Sequence, residues 1–381
     1  MNGDRTAART ILFVSNSPEF YGAERSLLEI VDVLSASWKP LFVVPAPGHY
    51  SAALESAKYA FDIAGGHGLV SVAHLASIIR ERRVSLVHAN LQWAVPLVAA
   101  SSRLVGVPFI AHLRNMVTDD FAAGSKEFFR HASAIICISR AVRESARATG
   151  LLFPEQEERI FIISDGRNLA NYRHGDRGRI RAELGIGEDV PLVGMVARIE
   201  PEKGQHTFLE TAALVAEHVP SARFLLVGDI MHVENREYLQ MLQRRCDDPR
   251  LKQRVTFFGY RKDIPDILAA LDCFVHPSAR GAFVSVLIEA MAAGVPLVVP
   301  AVDGIPECVG RDGAAALIYN LQPGDFANAI MQILGTPARR ASMSLAGQER
   351  AKRYDAVLLA RTTERAFESC FDGVEQAPCA T

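Results

Sequence analysis

Short apolar segments alternate with segments of helical spacing along the first half of the chain. Runs rich in apolar and β-branched residues predict strands at residues 10–15, 40–45, 85–89, 109–113, 134–138 and 160–164. Between them, apolar residues recur at helical spacing over residues 22–34, 72–80 and 139–148. The predicted strands are continuously apolar rather than alternating, which is typical of a parallel sheet covered by helices on both faces.

A second series of the same kind follows a polar, basic segment at residues 165–181, which we interpret as the interdomain linker. Strands are predicted at residues 192–197, 222–227, 255–258, 273–276 and 296–300. Helices are predicted at residues 204–218, 234–245, 262–271, 286–293 and 325–334, and a last amphipathic helix at 350–371. The sequence therefore predicts an α/β protein with two Rossmann-like domains, residues 1–170 and 171–349. The C-terminal helix within residues 350–381 is expected to cross between the domains and pack back on the first.

Length and composition restrict the classes of function. At 381 residues the chain is too long for one ordinary core, and its net charge of −2 gives no case for binding nucleic acid. Six cysteines occur without a CxxC motif or paired histidines, which argues against a zinc site or a disulfide framework and suits a reducing cytoplasm. The first ten residues lack the apolar core of a signal peptide, and no run approaches the ~18 apolar residues of a membrane span. We expect a cytoplasmic protein that at most lies on the inner-membrane surface; the cluster Arg80, Arg82 and Arg83 is either a solvated face or such a contact.

The chain lacks the fingerprint of a dinucleotide-binding dehydrogenase. That fingerprint, G-x-G-x-x-G, directly follows a strand. After the first predicted strand the chain reads NSPEFYGAER, in which Gly22 is the one glycine. Gly22 opens the next helix, where it either lets a phosphate approach the backbone or simply forms a turn.

Two cations flank the loop between the strand 192–197 and the next helix. The segment GMVARIEPEKG places Arg198 on the loop and Lys203 at the helix start. Positive side chains beside a helix N-terminus form a site for a diphosphate, with backbone N–H groups and the helix dipole contributing. The alternative is a solvated loop with charges placed by chance.

Further candidate residues lie where parallel strands are expected to end, the edge at which ligands bind in α/β sheets. Glu289 is a single carboxylate among small residues, and the loop DGIPE beyond the following strand adds Asp303 and Glu307, of which Glu307 can equally cap a helix. His112 ends the predicted strand 109–113 and is either a partly buried, satisfied residue or a site histidine; His88 has the same ambiguity.

Together these motifs resemble those of the retaining glycosyltransferases of family 4, the glycosyl transferases group 1. The G-R-x-x-x-x-K-G element is matched by residues 197–204, the strand with a G-[DE] turn by FLLVGD, and the nucleotide-base loop by FFGYRKDI. The signature ending in E-A-M-A-x-G-x-P-V-V corresponds to residues 277–299, and the glycine loop near the N-terminus and the P-N-G hinge correspond to residues 21–24 and 164–166. The resemblance implies the GT-B architecture of two facing Rossmann-like domains.

Three positions depart from the family pattern. The signature carries two glutamates eight positions apart, and Gly281 stands in place of the first, which faces the donor sugar in relatives. Glu289 is the second and is implied to accept hydrogen bonds from the nucleotide ribose. Val284 and Tyr21 stand where the pattern has glycines.

The resemblance implies transfer of a sugar from a nucleoside-diphosphate sugar, UDP- or GDP-linked, to a hydroxyl acceptor such as a cell-surface glycan or natural-product precursor. It implies retention at the anomeric carbon and no metal or other cofactor. Arg198, Lys203 and His112 are the implied catalytic residues. The implied donor-binding residues are Gly22, Gly228, Arg261, Gly281, Phe283, Val284, Ser285, Val286 and Glu289. The main alternative is a nucleotide-sugar-binding protein with weak or no transferase activity, because the first signature glutamate is Gly281; an epimerase or phosphorylase would need an acid–base set or a lysine-bound cofactor site that the sequence does not offer.

Overall fold

The computed structural model describes residues 8–66 and 69–372, and these form two compact units. The first contains residues 8–167 and 356–372, and the second contains residues 168–355. The second unit thus begins at residue 168, three residues before the predicted start at 171. The chain returns to the first unit at residue 356, six residues after the predicted return at 350. Residues 1–7 and Cys379, which entered the arguments on targeting and cysteines, lie outside the described residues.

A seven-stranded parallel sheet forms the centre of the first unit. Its chain contains β1 (Arg9–Val14), α1 (Gly22–Val31), β2 (Trp38–Val44), α2 (His49–Ser56), β3 (Phe61–Ile63), β4 (Gly65–Gly66), β5 (Leu69–Val70), α3 (Val72–Glu81), β6 (Leu86–Ala89), α4 (Val95–Val105), β7 (Phe109–Leu113), α5 (Asp119–Arg130), β8 (Ala134–Cys137), α6 (Arg140–Ala148) and β9 (Ile160–Ile162). The sheet order is β3-β2-β1-β6-β7-β8-β9, and β4 and β5 form a small antiparallel pair. Residues on both faces of β1, such as Leu12 and Phe13, are buried, which confirms the expectation of a covered parallel sheet.

The second unit has a six-stranded parallel sheet of order β12-β11-β10-β13-β14-β15. Its elements are α7 (Arg177–Glu183), β10 (Leu192–Val196), α8 (Gln205–His218), β11 (Arg223–Val227), α9 (Arg236–Arg245), β12 (Val255–Gly259), α10 (Ile264–Ala270), β13 (Cys273–Val275), α11 (Ser285–Ala292), β14 (Leu297–Pro300), α12 (Ile305–Val309), β15 (Ala315–Ile318), α13 (Pro323–Gly335) and α14 (Pro337–Ala351). The final helix, α15 (Ala356–Ser369), follows.

The interpretation of residues 165–181 as a linker is wrong for most of that segment. Residues from 168 onward belong to the second unit, and α7 packs against α10. Arg181 of α7 is almost fully buried, and its guanidinium donates to the carbonyl oxygens of Ala270 at 2.8 Å and Gly187 at 2.7 Å. These carbonyl oxygens and the Asp272 carboxylate, 3.5 Å from Nη1, satisfy the guanidinium inside the unit.

The predicted helix at 350–371 is also wrong at its start. Helix α14 continues to Ala351, and the chain turns before α15 begins at Ala356. Tyr354 is buried in this turn, where its hydroxyl donates to the Cys308 carbonyl oxygen at 2.8 Å. Helix α15 belongs to the first unit and packs on α1 and β8, with the ring of Phe367 against Trp38 at 5.1 Å between centroids.

The strand order reverses direction once in each sheet, between β1 and β6 and between β10 and β13. In open α/β sheets the loops leaving the carboxyl ends of such a strand pair form the ligand crevice. These loops are the ones that follow β1, β6, β10 and β13. Of the helices in the described part of the chain, none is long and apolar enough to cross a membrane.

Candidate functional site

The loop that follows β10 lies at the point where the order of the second sheet reverses. Its Arg198 side chain is 41% exposed and pairs with Glu200, Nη1 to Oε1 at 2.8 Å. The Gln205 side-chain amide, at the start of α8, donates to the Arg198 carbonyl oxygen at 2.7 Å. These contacts fix the backbone of the loop and present the guanidinium at its surface.

Lys203 lies on the same loop, immediately before α8. Burial and the neighbouring Arg198 guanidinium lower the pKa of the Lys203 ammonium, and Glu200 and Glu202 offset this only in part. Within the described residues this ammonium has no hydrogen bond and no carboxylate within 4 Å. A half-buried cation next to a second cation attracts an anion, and the N-terminus of α8 adds to the positive potential.

Two glycines allow this loop to approach its neighbours. Gly204 has φ +77°, and a Cβ there would lie 2.3 Å from the Pro277 carbonyl oxygen on the loop after β13. Gly228 has φ +133°, and a Cβ there would lie 1.9 Å from the Ala197 carbonyl oxygen. Both positions exclude side chains, so the backbones of three adjacent loops meet at this edge of the sheet.

The loop after β13 is tied to the loop after β10 on one side and to the loop after β14 on the other. The Ser278 hydroxyl lies 2.9 Å from the Glu202 carbonyl oxygen, which also accepts from the Ala279 amide at 3.2 Å. On the other side, the Gly281 amide donates to Asp303 Oδ2 at 2.9 Å. The diphosphate candidate and the signature segment are therefore parts of one continuous surface.

This surface and the start of α11 carry five of the predicted donor-binding residues, all partly exposed: Gly281, Phe283, Val284, Ser285 and Val286. Phe283 packs its ring against Tyr354 at 5.5 Å between centroids. Glu289 lies one turn into α11 and is 5% exposed. The structure thus brings Arg198, Lys203 and the segment containing Glu289 together at adjacent strand ends.

Arg261 lies farther along the same edge, after β12. Its guanidinium binds both oxygens of Glu183, at 2.6 and 3.0 Å, and both oxygens of Asp263. It also lies over the ring of Phe258, at 4.7 Å from the centroid. Because these partners occupy the guanidinium, the structure gives no evidence for the predicted contact between Arg261 and a donor.

His276, at the carboxyl end of β13, was not singled out from the sequence. It is buried, and neither imidazole nitrogen has a hydrogen-bond partner among the described residues. Burial, assisted by the Lys203 charge, lowers its pKa to about 3. A neutral imidazole therefore lies behind the cationic loop at neutral pH.

A buried polar cluster occupies the corresponding edge of the first unit. Arg114, one residue beyond β7, donates to Asp165 Oδ1 at 2.5 Å and to the Asn90 carbonyl oxygen at 2.9 Å. The side chains of Arg114 and Asp165 are 4% and 6% exposed. The sequence analysis missed Arg114, although its position directly after a predicted strand was a usable signal.

His112 lies inside this cluster. Its side chain is buried, and neither ring nitrogen finds a hydrogen-bond partner in the part of the chain that the structure describes. Burial holds the pKa of His112 well below its usual range, and the charge of Arg114 and the neighbouring His88 lower it further. The ring centroids of His88 and His112 are 5.4 Å apart. His112 is therefore neutral at physiological pH, and both of its ring nitrogens are enclosed within the first unit.

The loop after β1 completes this edge. The Tyr21 amide donates to Glu24 Oε2 at 3.2 Å, which caps α1, and burial raises the pKa of the Glu24 carboxyl. A Cβ on Gly22 would meet no atom within 4 Å, so packing does not require glycine there. Tyr50 is buried beside Glu24, and its hydroxyl lacks a partner among the described residues.

No group of three or more histidine, cysteine or carboxylate side chains with the arrangement of a metal site occurs within residues 8–66 and 69–372. The positive charges at the second-unit edge come from side chains and from the N-terminus of α8.

Sequence models of two glycosyltransferase families match the chain in tandem. "Glycosyltransferase Family 4" matches residues 20–171, and "Glycosyl transferases group 1" matches residues 176–350. D-inositol 3-phosphate glycosyltransferase of Nocardia farcinica is 29% identical over 285 residues, 73% of this chain and 61% of the relative. The protein of the same name from Mycolicibacterium smegmatis is 28% identical over 270 residues, 70% of this chain and 60% of that one. The chain thus matches about three fifths of the length of these relatives.

Solved structures extend the match to nearly the whole chain. Anabaena HepE in complex with UDP and glucose has a TM-score of 0.84 at 25% identity, covering 94% of this chain and 99% of that one. HepE in complex with UDP-glucose gives the same score at 26% identity, with the same coverage. Sucrose-phosphate synthase of Thermosynechococcus elongatus has a TM-score of 0.77 at 20% identity, covers 95% of this chain and 99% of that one, and supports the fold.

Two Rossmann-like sheets with loop sites at their reversal points, and this likeness to solved structures, define the GT-B fold class. Within that class the chain belongs to the family 4 glycosyltransferases, and its second half is a glycosyl transferases group 1 domain. The predicted fold and family are thereby confirmed.

Proposed function

We propose that this protein transfers a sugar from a UDP-linked donor to a hydroxyl acceptor, with retention at the anomeric carbon and without a metal ion. The observation that carries the proposal is the pair Arg198 and Lys203 at the reversal point of the second sheet. Lys203 is a half-buried cation that has no close carboxylate among the described residues, beside the N-terminus of α8. Such an arrangement suits a diphosphate, whose charge it neutralises.

The relatives support the choice of donor and acceptor classes. HepE of Anabaena was solved with UDP and with UDP-glucose, which favours a uridine nucleotide over GDP for this chain. The curated relatives are named for transfer to D-inositol 3-phosphate, which supports a hydroxyl acceptor. The acceptor class that we propose is a hydroxyl of a cell-surface glycan or a natural-product precursor.

In the proposed reaction the bond between the anomeric carbon and the β-phosphate oxygen breaks, and negative charge grows on that oxygen. Arg198 and Lys203 stabilise this charge electrostatically, because both cations lie on the one loop whose backbone is fixed by Gln205. Glu289, buried in α11, accepts hydrogen bonds from the ribose. The acceptor oxygen attacks on the face that the diphosphate leaves, and its proton passes to the departing phosphate.

The first unit supplies a polar environment for the sugar and acceptor. The imidazole of His112 stays neutral because burial and Arg114 oppose its protonation. A neutral imidazole donates one hydrogen bond and accepts another, which suits contact with sugar hydroxyls. The predicted place of Gly22 at this edge is compatible with close approach of a ligand, since open space surrounds it.

A second candidate function is nucleotide-sugar binding without efficient transfer. It is favoured by Gly281, a residue without a side chain where the family signature has a glutamate. Turnover separates the two candidates, whereas nucleotide binding does not.

Calorimetry with UDP, GDP, ADP and dTDP tests the nucleotide site, and UDP release from UDP-glucose with mixed sugar acceptors tests transfer. We expect the double substitution Arg198→Ala with Lys203→Ala to weaken UDP binding and abolish UDP release. Lys252→Ala is the control, since Lys252 is an exposed cation on the segment before β12. Unchanged turnover in the double variant would refute the diphosphate role, and UDP binding without turnover of any donor would favour the second candidate.

Two further measurements examine the chemistry. Proton NMR of the glycosidic product should show the anomeric configuration of the donor, and the opposite configuration would rule out retention. Addition of EDTA should leave turnover largely intact, whereas a sharp loss would show that a metal takes part.

A further inference from the structure

The loops after β13 and β14 are bound to each other around Gly281 and Asp303. The Gly281 amide donates to Asp303 Oδ2 at 2.9 Å, and the Gly304 amide donates back to the Gly281 carbonyl oxygen at 3.0 Å. Asp303 has φ +46°, a left-handed conformation that is uncommon for residues other than glycine. Two opposed hydrogen bonds thus hold a strained residue in a fixed place, and strain of this kind concentrates at ligand sites.

The space beside Gly281 is filled by apolar side chains. A Cβ on Gly281 would lie 2.9 Å from Ile305 Cδ1 and 2.9 Å from Val284 Cγ2. Ile305 is fully buried, as the first residue of α12. A glutamate at 281 would therefore need the ends of these two side chains to shift.

A carboxylate nevertheless reaches this place from the neighbouring loop. Asp303 is exposed, and its Oδ2 accepts the Gly281 amide. Its Oδ1 accepts no hydrogen bond among the described residues. The hydrogen bond to the amide fixes the direction of the carboxylate and leaves one oxygen for a ligand hydroxyl.

The same surface continues to the cationic loop. Ser278 and Ala279, three and two residues before Gly281, bind the Glu202 carbonyl oxygen next to Lys203. A nucleoside-diphosphate sugar has two groups beside its diphosphate, the nucleoside and the sugar. With the diphosphate at Lys203 and the ribose at Glu289, as proposed above, the sugar is the group left for the surface beside Asp303.

We propose that Asp303 is the donor-sugar contact of this protein, and that its carboxylate accepts hydrogen bonds from hydroxyls of the transferred sugar in place of an acid at 281. This rests on the proposed function, because it needs a nucleotide sugar at the second-unit site. A charged acceptor that binds a sugar hydroxyl discriminates strongly between sugars that do and do not present that hydroxyl.

The test is calorimetry of the full chain with two ligands, UDP and UDP-glucose. In Asp303→Asn, the side-chain carbonyl oxygen can still accept the Gly281 amide, and asparagine tolerates positive φ as aspartate does. The substitution removes the negative charge of the carboxylate. We expect the variant to bind UDP as the wild type does and to bind UDP-glucose at least tenfold more weakly. Asp303→Gly, which relieves the backbone strain and removes the carboxylate, should give the same split.

The control is Asp189→Asn, because Asp189 is an exposed aspartate in the turn before β10, at the amino ends of the strands and away from the loops that follow them. It should bind both ligands as the wild type does. Equal affinity of wild type and Asp303→Asn for UDP-glucose would overturn the role of Asp303 and leave the proposed function standing. A wild-type protein that binds neither UDP nor UDP-glucose would overturn the proposed donor and the role of Asp303 together.

Discussion

The close approach of Gly204 to Pro277 gives a quantitative prediction for the stability of the second unit. Gly204→Ala places a methyl group in the left-handed region at φ +77°, which costs about 1–2 kcal/mol. The same methyl group would lie 2.3 Å from the Pro277 carbonyl oxygen and 2.9 Å from its carbonyl carbon. Backbone atoms cannot rotate away as a side chain can, so we add about 1–3 kcal/mol for overpacking. The expected loss of unfolding free energy is about 2–5 kcal/mol.

Gly185→Ala is the matched control, since Gly185 lies in the same unit and also has positive φ, +64°. A Cβ there would meet no atom within 4 Å, so only the conformational cost of about 1–2 kcal/mol is expected. The difference between the two variants measures the contact between the loops after β10 and β13. UDP affinity should also fall in the Gly204 variant, because the displaced Pro277 belongs to the proposed site.

Urea unfolding followed by far-ultraviolet circular dichroism measures both variants. Both tryptophans, Trp38 and Trp93, lie in the first unit, so their fluorescence follows that unit separately. If Gly204→Ala proves no more destabilising than Gly185→Ala, the contact with Pro277 does not require glycine, and our reasoning about the joined loops is refuted.

Three other predictions follow from buried charges and polar groups. Asp165→Asn should destabilise the first unit by about 3–5 kcal/mol in urea unfolding, because the buried Arg114 loses its counter-charge; a loss under 1 kcal/mol would contradict this. His276 has a pKa of about 3 when folded and near 6.5 when unfolded, so the unfolded chain binds its proton first as pH falls. The contribution of His276 to stability should therefore drop between pH 6.5 and 3 by up to about 1.4 kcal/mol per pH unit. His276→Phe should remove this part of the slope in unfolding measured across this range, whereas the buried His88 and His112 of the first unit keep theirs. Glu289→Gln should weaken UDP binding in calorimetry with little change in thermal midpoint, and unaltered affinity would remove its ribose role.

Strands and motif positions were the parts of this protein that its sequence predicted well. The run at residues 10–15 corresponds to β1, because a continuous run of β-branched and apolar residues is typical of a parallel strand that is buried on both faces. The cationic loop at 197–204 was predicted between a strand and a helix and lies there. By contrast, the interpretation of α7 as part of a linker is wrong, because Arg181 is buried against the Ala270 carbonyl oxygen, a partner 89 positions away that local patterning does not reveal.

The candidate site was predicted in its residue types but not in its partners. Arg198 and Lys203 could be placed on one loop, since both follow one strand. The pairing of Arg114 with Asp165 spans 51 positions, and that of Gly281 with Asp303 spans 22. Neither pairing could be derived from spacing, because both depend on which strands become neighbours.

Hydrophobic period and short motifs are local properties, so the amino-acid sequence was sufficient to predict the two α/β units, the family and the positions of the cationic loop and Glu289. Tertiary packing sets which strands become neighbours: β10 lies beside β13, and β13 beside β14, which brings three loops together at the carboxyl ends of these strands. It also decided that His112 and His276 are buried and neutral, since desolvation depends on everything packed around a side chain. The acid missing at Gly281 is a fact of sequence, and the carboxylate of Asp303 beside it is a consequence of the fold.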